Sequence, residues 1–180
     1  MAKRHYSLFH SLMQKFASSR PGAWFFARAL HHLDRIFLKL SNGRATLSSI
    51  FTGLPVVVLT TTGVKSGLPR TLPVLGIRDA GDPNLLAVIA SNWGQDHHPA
   101  WYFNLKRNPI ATCSIQGQVK TYTAHEACGE EYERFWHYAV DTYPGFPLYK
   151  QRAGERHIPI MILAIAGSSD QVKSDQADKG

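Results

Sequence analysis

The chain has 180 residues, 44% of them hydrophobic, enough for one domain with appended segments and a core that needs neither disulfides nor a structural metal. Its formal net charge of +7 lies entirely in residues 1–44, where eight Lys and Arg meet one acid, Asp34; the rest of the chain is balanced, which argues against nucleic-acid binding by the main domain. Cys113 and Cys128 show no zinc or redox spacing, and neither a secretory signal nor a membrane-spanning run occurs, so the protein is expected to be cytoplasmic.

The predicted elements begin with a short helix over 5–17, carrying Phe9, Leu12, Met13 and Phe16 on one side, which Arg20-Pro21-Gly22 ends. A second helix over 23–40 repeats Phe26, Leu30, Leu33, Phe37 and Leu40 at three- and four-residue steps, flanked by Arg28, His31, His32, Arg35 and Lys39. Such a basic amphipathic helix docks on the domain or on a second subunit, or lies on an anionic membrane surface. Residues 1–44 are therefore read as a separate basic helical segment. Peripheral contact with the inner face of the cell membrane and a homodimer both stay open.

From Leu54 the pattern changes to strands. Residues 55–61 form an apolar, β-branched run, and a Gly-rich turn leads to a second strand over 70–78. A turn over 79–84 precedes a third strand over 85–91. A loop over 92–97 precedes a helix over 98–107, with Asp96 as a candidate cap and Pro109 closing it. Residues 111–115 and 118–125 form a hairpin about Gln116-Gly117. A helix over 130–141 and a very apolar, central strand over 158–165 complete the domain. Residues 167–180 are polar and read as a disordered tail. Strands without regular βαβ alternation predict an α+β domain over 45–166, mainly an antiparallel barrel, with N-terminal and inserted helices.

The segment Thr60-Thr61-Thr62-Gly63-Val64-Lys65-Ser66-Gly67-Leu68-Pro69-Arg70 carries the clearest chemistry. It leaves a strand, turns on glycines, and offers hydroxyls, a Lys and an Arg. Glycines let backbone amides converge on an anion, and the cations neutralise it. It is not a nucleotide-binding P-loop, because Val64 precedes Lys65 and no helix follows. A plain basic hairpin turn remains the alternative on composition alone.

With that block, three others stand in order: Ala90-Ser91-Asn92-Trp93-Gly94, His98-Pro99-Ala100-Trp101-Tyr102-Phe103-Asn104-Leu105, and Tyr143-Pro144-Gly145-Phe146-Pro147-Leu148-Tyr149 followed by Arg156-His157-Ile158-Pro159-Ile160. Together, over about 44–166, they resemble the deazaflavin-dependent nitroreductase family. The resemblance implies a split β-barrel of the FMN-binding type, coenzyme F420 as cofactor, and hydride transfer to a quinone, enone or nitro acceptor. It implies cofactor contacts from Thr62, Gly63, Lys65, Ser66, Gly67, Arg70 and Pro73, from Ser91, Asn92, Trp93 and Gly94, and from Trp101 and Asn104. Tyr143, Phe146 and Tyr149 would face the acceptor as catalytic residues.

The chain departs from the family pattern at three places. Val64 stands where Arg is frequent, Asn92 where Lys is frequent, and Phe146 where some relatives carry a tyrosine. Two phosphate-facing charges are thus absent, which leaves FMN as an alternative cofactor and a non-catalytic flavin, tetrapyrrole or lipid carrier as an alternative function. His97-His98 and His31-His32 are adjacent pairs with no third ligand at a useful spacing, so no metal is expected.

Overall fold

The computed structural model describes residues 54–166, with Leu12 and Ser19 in addition. The two helices expected over 5–17 and 23–40, the expected boundary at residue 44 and the expected disordered tail fall outside the described residues. Six strands, β1 (Val56–Thr62), β2 (Pro69–Arg78), β3 (Leu85–Ile89), β4 (Ile110–Ile115), β5 (Gln118–Glu126) and β6 (Ile160–Ile165), close into an antiparallel barrel in the order β1-β2-β3-β6-β5-β4. Three helices are inserted: α1 (Ala100–Arg107), α2 (Gly129–Thr142) and α3 (Phe146–Ala153).

Strand composition follows which faces are covered. In β1, Val57, Leu59 and Thr61 are buried and their neighbours only half-buried. In β5 only Tyr122 and Ala124 are buried. These strands cover one face and keep the alternation of a half-solvated sheet. β3 and β6 are apolar throughout because both faces are covered. Leu86, Val88, Met161 and Leu163 fill the barrel with Cys113 and Tyr122. Ala87, Ile89, Ile160 and Ile162 pack outward on Phe135, Ala139, Phe146 and Tyr149 of α2 and α3.

The pairing of β2 opens the barrel wall. Residues 69–75 of β2 pair with β1, whereas β3 pairs only with Gly76, Ile77 and Arg78. Among the described residues, the upper half of β2 therefore has no partner on its β3 side. Pro73 lies in that half, opposite Val58 of β1, where its missing N–H breaks no β3 bond. This is the split of the predicted split barrel.

Turns behave as their residues dictate. Gln116 and Gly117 both have positive φ, 53° and 83°, as a two-residue hairpin turn requires. Asp79 Oδ1 accepts the amides of Gly81 (2.7 Å) and Asp82 (3.1 Å), and its Oδ2 lies 3.3 Å from Arg134 Nη2 on α2. Two expectations need correction. Asp96 does not cap α1: Pro99 holds the cap position without a side-chain bond, and Asp96 instead meets His97 Nδ1 at 2.8 Å. The loop after β3 contains a single 3₁₀ turn, Asn92–Gly94.

α3 was not anticipated. Its buried residues Phe146, Tyr149 and Ala153 fall at steps of three and four. Pro147 sits in its first turn, Lys150 and Arg152 in its last, and Gly154 follows it; these are the ordinary start and stop signals of a helix. Its shortness and its low apolar contrast hide it in sequence.

Candidate functional site

Strand direction gathers the predicted residues at one end of the barrel. β1, β3 and β5 run towards that end, and β2, β4 and β6 start from it. The β1–β2 loop, the segment from Ser91 through α1, and the segment carrying α2 and α3 all leave the barrel there. Turns 79–84 and 116–117 lie at the other end. Residues far apart in sequence thus share a rim because they sit on connections of one polarity.

The β1–β2 loop is stitched together from within. Gly63 N–H donates to Leu68 O (2.9 Å), Ser66 and Gly67 N–H to Gly63 O (3.3 and 2.8 Å), and Leu68 N–H to Ser66 Oγ (3.3 Å). Val64 N–H donates to Asn104 Oδ1 at 3.1 Å. A side chain at Gly63 would meet Ser66 Oγ at 2.8 Å and Leu68 O at 3.2 Å, so glycine is required here for closeness. The amides of Gly63, Ser66, Gly67 and Leu68 are thus committed within the loop and that of Val64 to Asn104.

What the loop presents is side chains. Lys65, Ser66 and Arg70 are exposed, and Arg70 Nη2 donates to Ser66 Oγ at 3.2 Å. Among the described residues no carboxylate pairs with either cation. Two unneutralised cations and a hydroxyl on a preformed loop are a donor set that fits a phosphate.

α1 anchors this loop. Asn104 is 7% exposed, and its Nδ2 donates to Thr61 Oγ1 at 2.9 Å while Oδ1 takes the Val64 amide. Asn108 Nδ2 donates to the half-buried Thr62 at 3.3 Å. Trp101 is buried in the interior cluster with Leu105. α1 is held in turn by Glu126 at the end of β5, whose Oε2 accepts from Lys106 Nζ (2.9 Å) and Tyr102 Oη (3.1 Å).

The second part of the rim is strained. Asn92, Trp93 and Gly94 have φ of 47°, 59° and 76°, a run of left-handed backbone that L-residues adopt at a cost of about 1–3 kcal/mol each. Gly94 is needed twice over, since a side chain there would strike Tyr149 O and Arg152 Cβ at 2.9 Å. Asn92 Nδ2 ties the loop to His97 O at 2.9 Å. Trp93 meets Tyr149 edge-on, with centroids 6.0 Å apart.

Behind Trp93 lie the three predicted acceptor-facing aromatics. Tyr143, Phe146 and Tyr149 are 3–4% exposed and belong to the outer core cluster. The phenol oxygens of Tyr143 and Tyr149 are 3.0 Å apart. Burial, then the neighbouring Tyr143, pushes the Tyr149 phenol far above its ordinary range, so its O–H is retained. In this arrangement the pair stands behind the rim and does not form an exposed cleft wall. Pro73 lies on the split, paired with Val58 of β1.

Arg156, in the last of the motif blocks, is a site residue that the sequence does not mark. Its guanidinium donates to Gln95 O (2.8 Å), Ser91 O (2.7 Å) and Ala90 O (3.2 Å), and reaches His98 Nδ1 at 3.1 Å. These three carbonyls lie 61 to 66 residues away, while the neighbouring His157 O is 3.5 Å from Nη1, and no periodicity or spacing rule marks the residue. His98 thus faces a cation, and His97 pairs with Asp96.

Comparison with known proteins bears on the same residues. Residues 35–164 match the family model described as F420H(2)-dependent quinone reductase. A Mycobacterium tuberculosis protein named provisionally as an F420H(2)-dependent quinone reductase is 36% identical over 110 residues, covering 61% of this chain and 89% of the relative. A solved structure described as an F420-H2 dependent reductase superposes with a TM-score of 0.55 at 39% identity, over 61% of this chain and 93% of that one. A second, described as a domain-swapped dimer, gives 0.56 at 32% identity over 79% and 98%.

Proposed function

Because the chain belongs to the F420H(2)-dependent quinone reductase family, we propose that it reduces a quinone, and by the same chemistry flat enone or nitro acceptors, with coenzyme F420. The observation that carries this is the preformed loop with its unneutralised Lys65 and Arg70, set in the segment the family model matches. The family supports the deazaflavin over FMN as cofactor and an enzyme over a carrier.

When bound, reduced F420 supplies two electrons and a proton as a hydride, and the difficult redox step is the cofactor's own. The protein's part is binding, orientation and proton supply. Lys65 and Arg70 take the phosphate and the acidic tail. Thr62, Gly63, Ser66 and Gly67 shape that loop, and Asn104 holds it. Ser91, Asn92, Trp93 and Gly94 border the ring side together with Pro73 on the split, while Trp101 supports them from within the barrel. Hydride addition to a quinone leaves an oxyanion that needs one proton. Tyr143 and Tyr149, hydrogen-bonded to each other, pass it on from water, each phenol oxygen taking up a proton as it gives one. Phe146 packs against both.

Residues 45–166 carry this chemistry, and residues 1–44 serve association, either with a second subunit or with an anionic membrane surface. A neighbour described as a domain-swapped dimer favours the subunit. The charge placement favours the membrane, and a lipid-soluble quinone makes proximity useful. No helix among the described residues is long and apolar enough to cross a membrane. Sedimentation with anionic vesicles at low and high salt separates the two, since only lipid attachment is lost with salt.

The function is tested by mixing the purified protein with reduced F420 and menadione and following the return of oxidised-cofactor absorbance. Turnover above the uncatalysed rate is expected, with none from FMN and a nicotinamide donor. No turnover with any quinone, despite deazaflavin binding, would make the protein a carrier.

A further inference from the structure

The left-handed turn at Asn92–Gly94 packs on α3 through Trp93 and Gly94, and Arg156 ties down its flanks. Its internal bonds are Gly94 N–H to Ser91 O (2.9 Å), Gln95 N–H to Asn92 O (3.0 Å) and Asn92 Nδ2 to His97 O (2.9 Å). All of these lie within the loop, and none fixes the loop to the barrel. The carbonyls on either side of the turn, Ala90 and Ser91 before it and Gln95 after it, converge instead on the guanidinium of Arg156. That residue precedes β6 and is bound by position to the strand next to β3. A planar fork with five donors suits several carbonyls at once, which an ammonium cannot match.

Resting on the family reading above, we infer that Arg156 is the positioning residue of the cofactor's ring side: it clamps both ends of the Asn92–Gly94 turn, with neutral His98 as its fourth partner. The guanidinium has only donors, so His98 Nδ1 at 3.1 Å must offer its lone pair. Protonating His98 removes that acceptor and sets two cations side by side. Around His98 stand Arg156, His97 and His157, which disfavour its protonation, and Glu126, which favours it. Asp96 lies against His97, and the Tyr102 and Phe103 rings pack on the imidazole at 5.0 and 5.9 Å. Burial first, then Arg156, holds the His98 pKa below its ordinary 6.5. The clamp is therefore still complete at pH 6.5 and loosens only as pH falls through the lowered His98 pKa.

The test uses the full chain and two readouts. Hydrogen exchange of residues 92–98, without cofactor, reports the turn; fluorescence titration with oxidised F420 reports binding. Arg156→Gln is expected to speed exchange across 92–98 at least tenfold, leave β1 and β5 amides protected, and weaken F420 binding about tenfold. Arg156→Lys should recover only part of both. In the wild type, exchange at 92–98, corrected for intrinsic rates, should rise as pH falls from 7 to 5. His98→Gln, which keeps an acceptor but no proton site, should flatten that profile. Unchanged exchange at 92–98 in Arg156→Gln overturns the clamp, as does uniform loss of protection across the barrel. Faster exchange with unchanged F420 affinity overturns its role in cofactor binding. If the wild type itself does not bind F420, the cofactor reading fails, and the exchange measurements alone decide the clamp.

Discussion

Asn104 and Val64 are joined across the rim: the buried Asn104 carboxamide accepts the Val64 amide at 3.1 Å, and its other end donates to Thr61 at 2.9 Å. One side chain thus fixes both the last turn of β1 and the start of the basic loop to α1. The loop keeps its shape without a ligand, and its cations are presented with little ordering left to do on binding.

Asn104→Ala should therefore cost more than a surface change. It leaves the Val64 amide and the buried Thr61 hydroxyl without these partners, a loss of about 1–3 kcal/mol. Thermal denaturation should show a lowered Tm. Deazaflavin titration should show weaker binding although no charge has been removed. Equal affinity in a folded variant would mean that the loop does not need this anchor.

Lys65→Ala and Arg70→Ala should each weaken F420 binding with little change in stability, since both side chains are exposed. A charge-assisted phosphate contact is worth about 1.5–3 kcal/mol, or about tenfold or more in affinity. Because the amides of Gly63, Val64, Ser66, Gly67 and Leu68 are committed within the loop or to Asn104, removing both cations should nearly abolish salt-sensitive binding. Retained affinity in the double variant would reject the loop as the phosphate site.

Gly145→Ala should strain the aromatic cluster. A methyl there would fall 2.3–2.5 Å from the Tyr143 ring and hydroxyl, so the phenol must move from its place 3.0 Å from Tyr149. Overpacking of this kind costs about 1–3 kcal/mol. If the pair supplies the proton, quinone turnover should fall while F420 affinity holds. A variant with wild-type turnover and a displaced Tyr143 would remove the pair from the mechanism.

Glu126 gives a pH-dependent test of the α1 anchor. Burial raises its pKa, but Lys106 and Tyr102 outweigh that and leave it below its ordinary 4.5. A carboxylate with a depressed folded-state pKa stabilises above its unfolded value, and that stability is lost as pH falls through the folded one. Glu126→Gln should be less stable than the wild type at pH 7, by about 0.5–1 kcal/mol given the solvent exposure of Lys106. The gap should close as pH falls through the lowered Glu126 pKa. A gap that persists at pH 3 in denaturant titrations would point to packing in place of charge.

The sequence by itself determined the barrel and the basic loop. β-Branched alternation in β1, the Gln116-Gly117 turn, and the unbroken apolar run of β6 are local signals, because strand period and turn chemistry act over a few residues. The family resemblance rested on blocks equally local. Tertiary structure alone decided how those blocks act. That β1, β3 and β5 share a direction, and so place their loops on one rim, is a property of strand pairing. That the Val64 amide is committed depends on Asn104, 40 residues away. Tyr143 and Tyr149 are packed behind Trp93 because α3, too short to announce itself, folds back on the 3₁₀ turn. Arg156 finds its carbonyls across more than sixty residues, since a guanidinium fork is satisfied by whatever backbone the fold brings to it, and no spacing along the chain records that meeting.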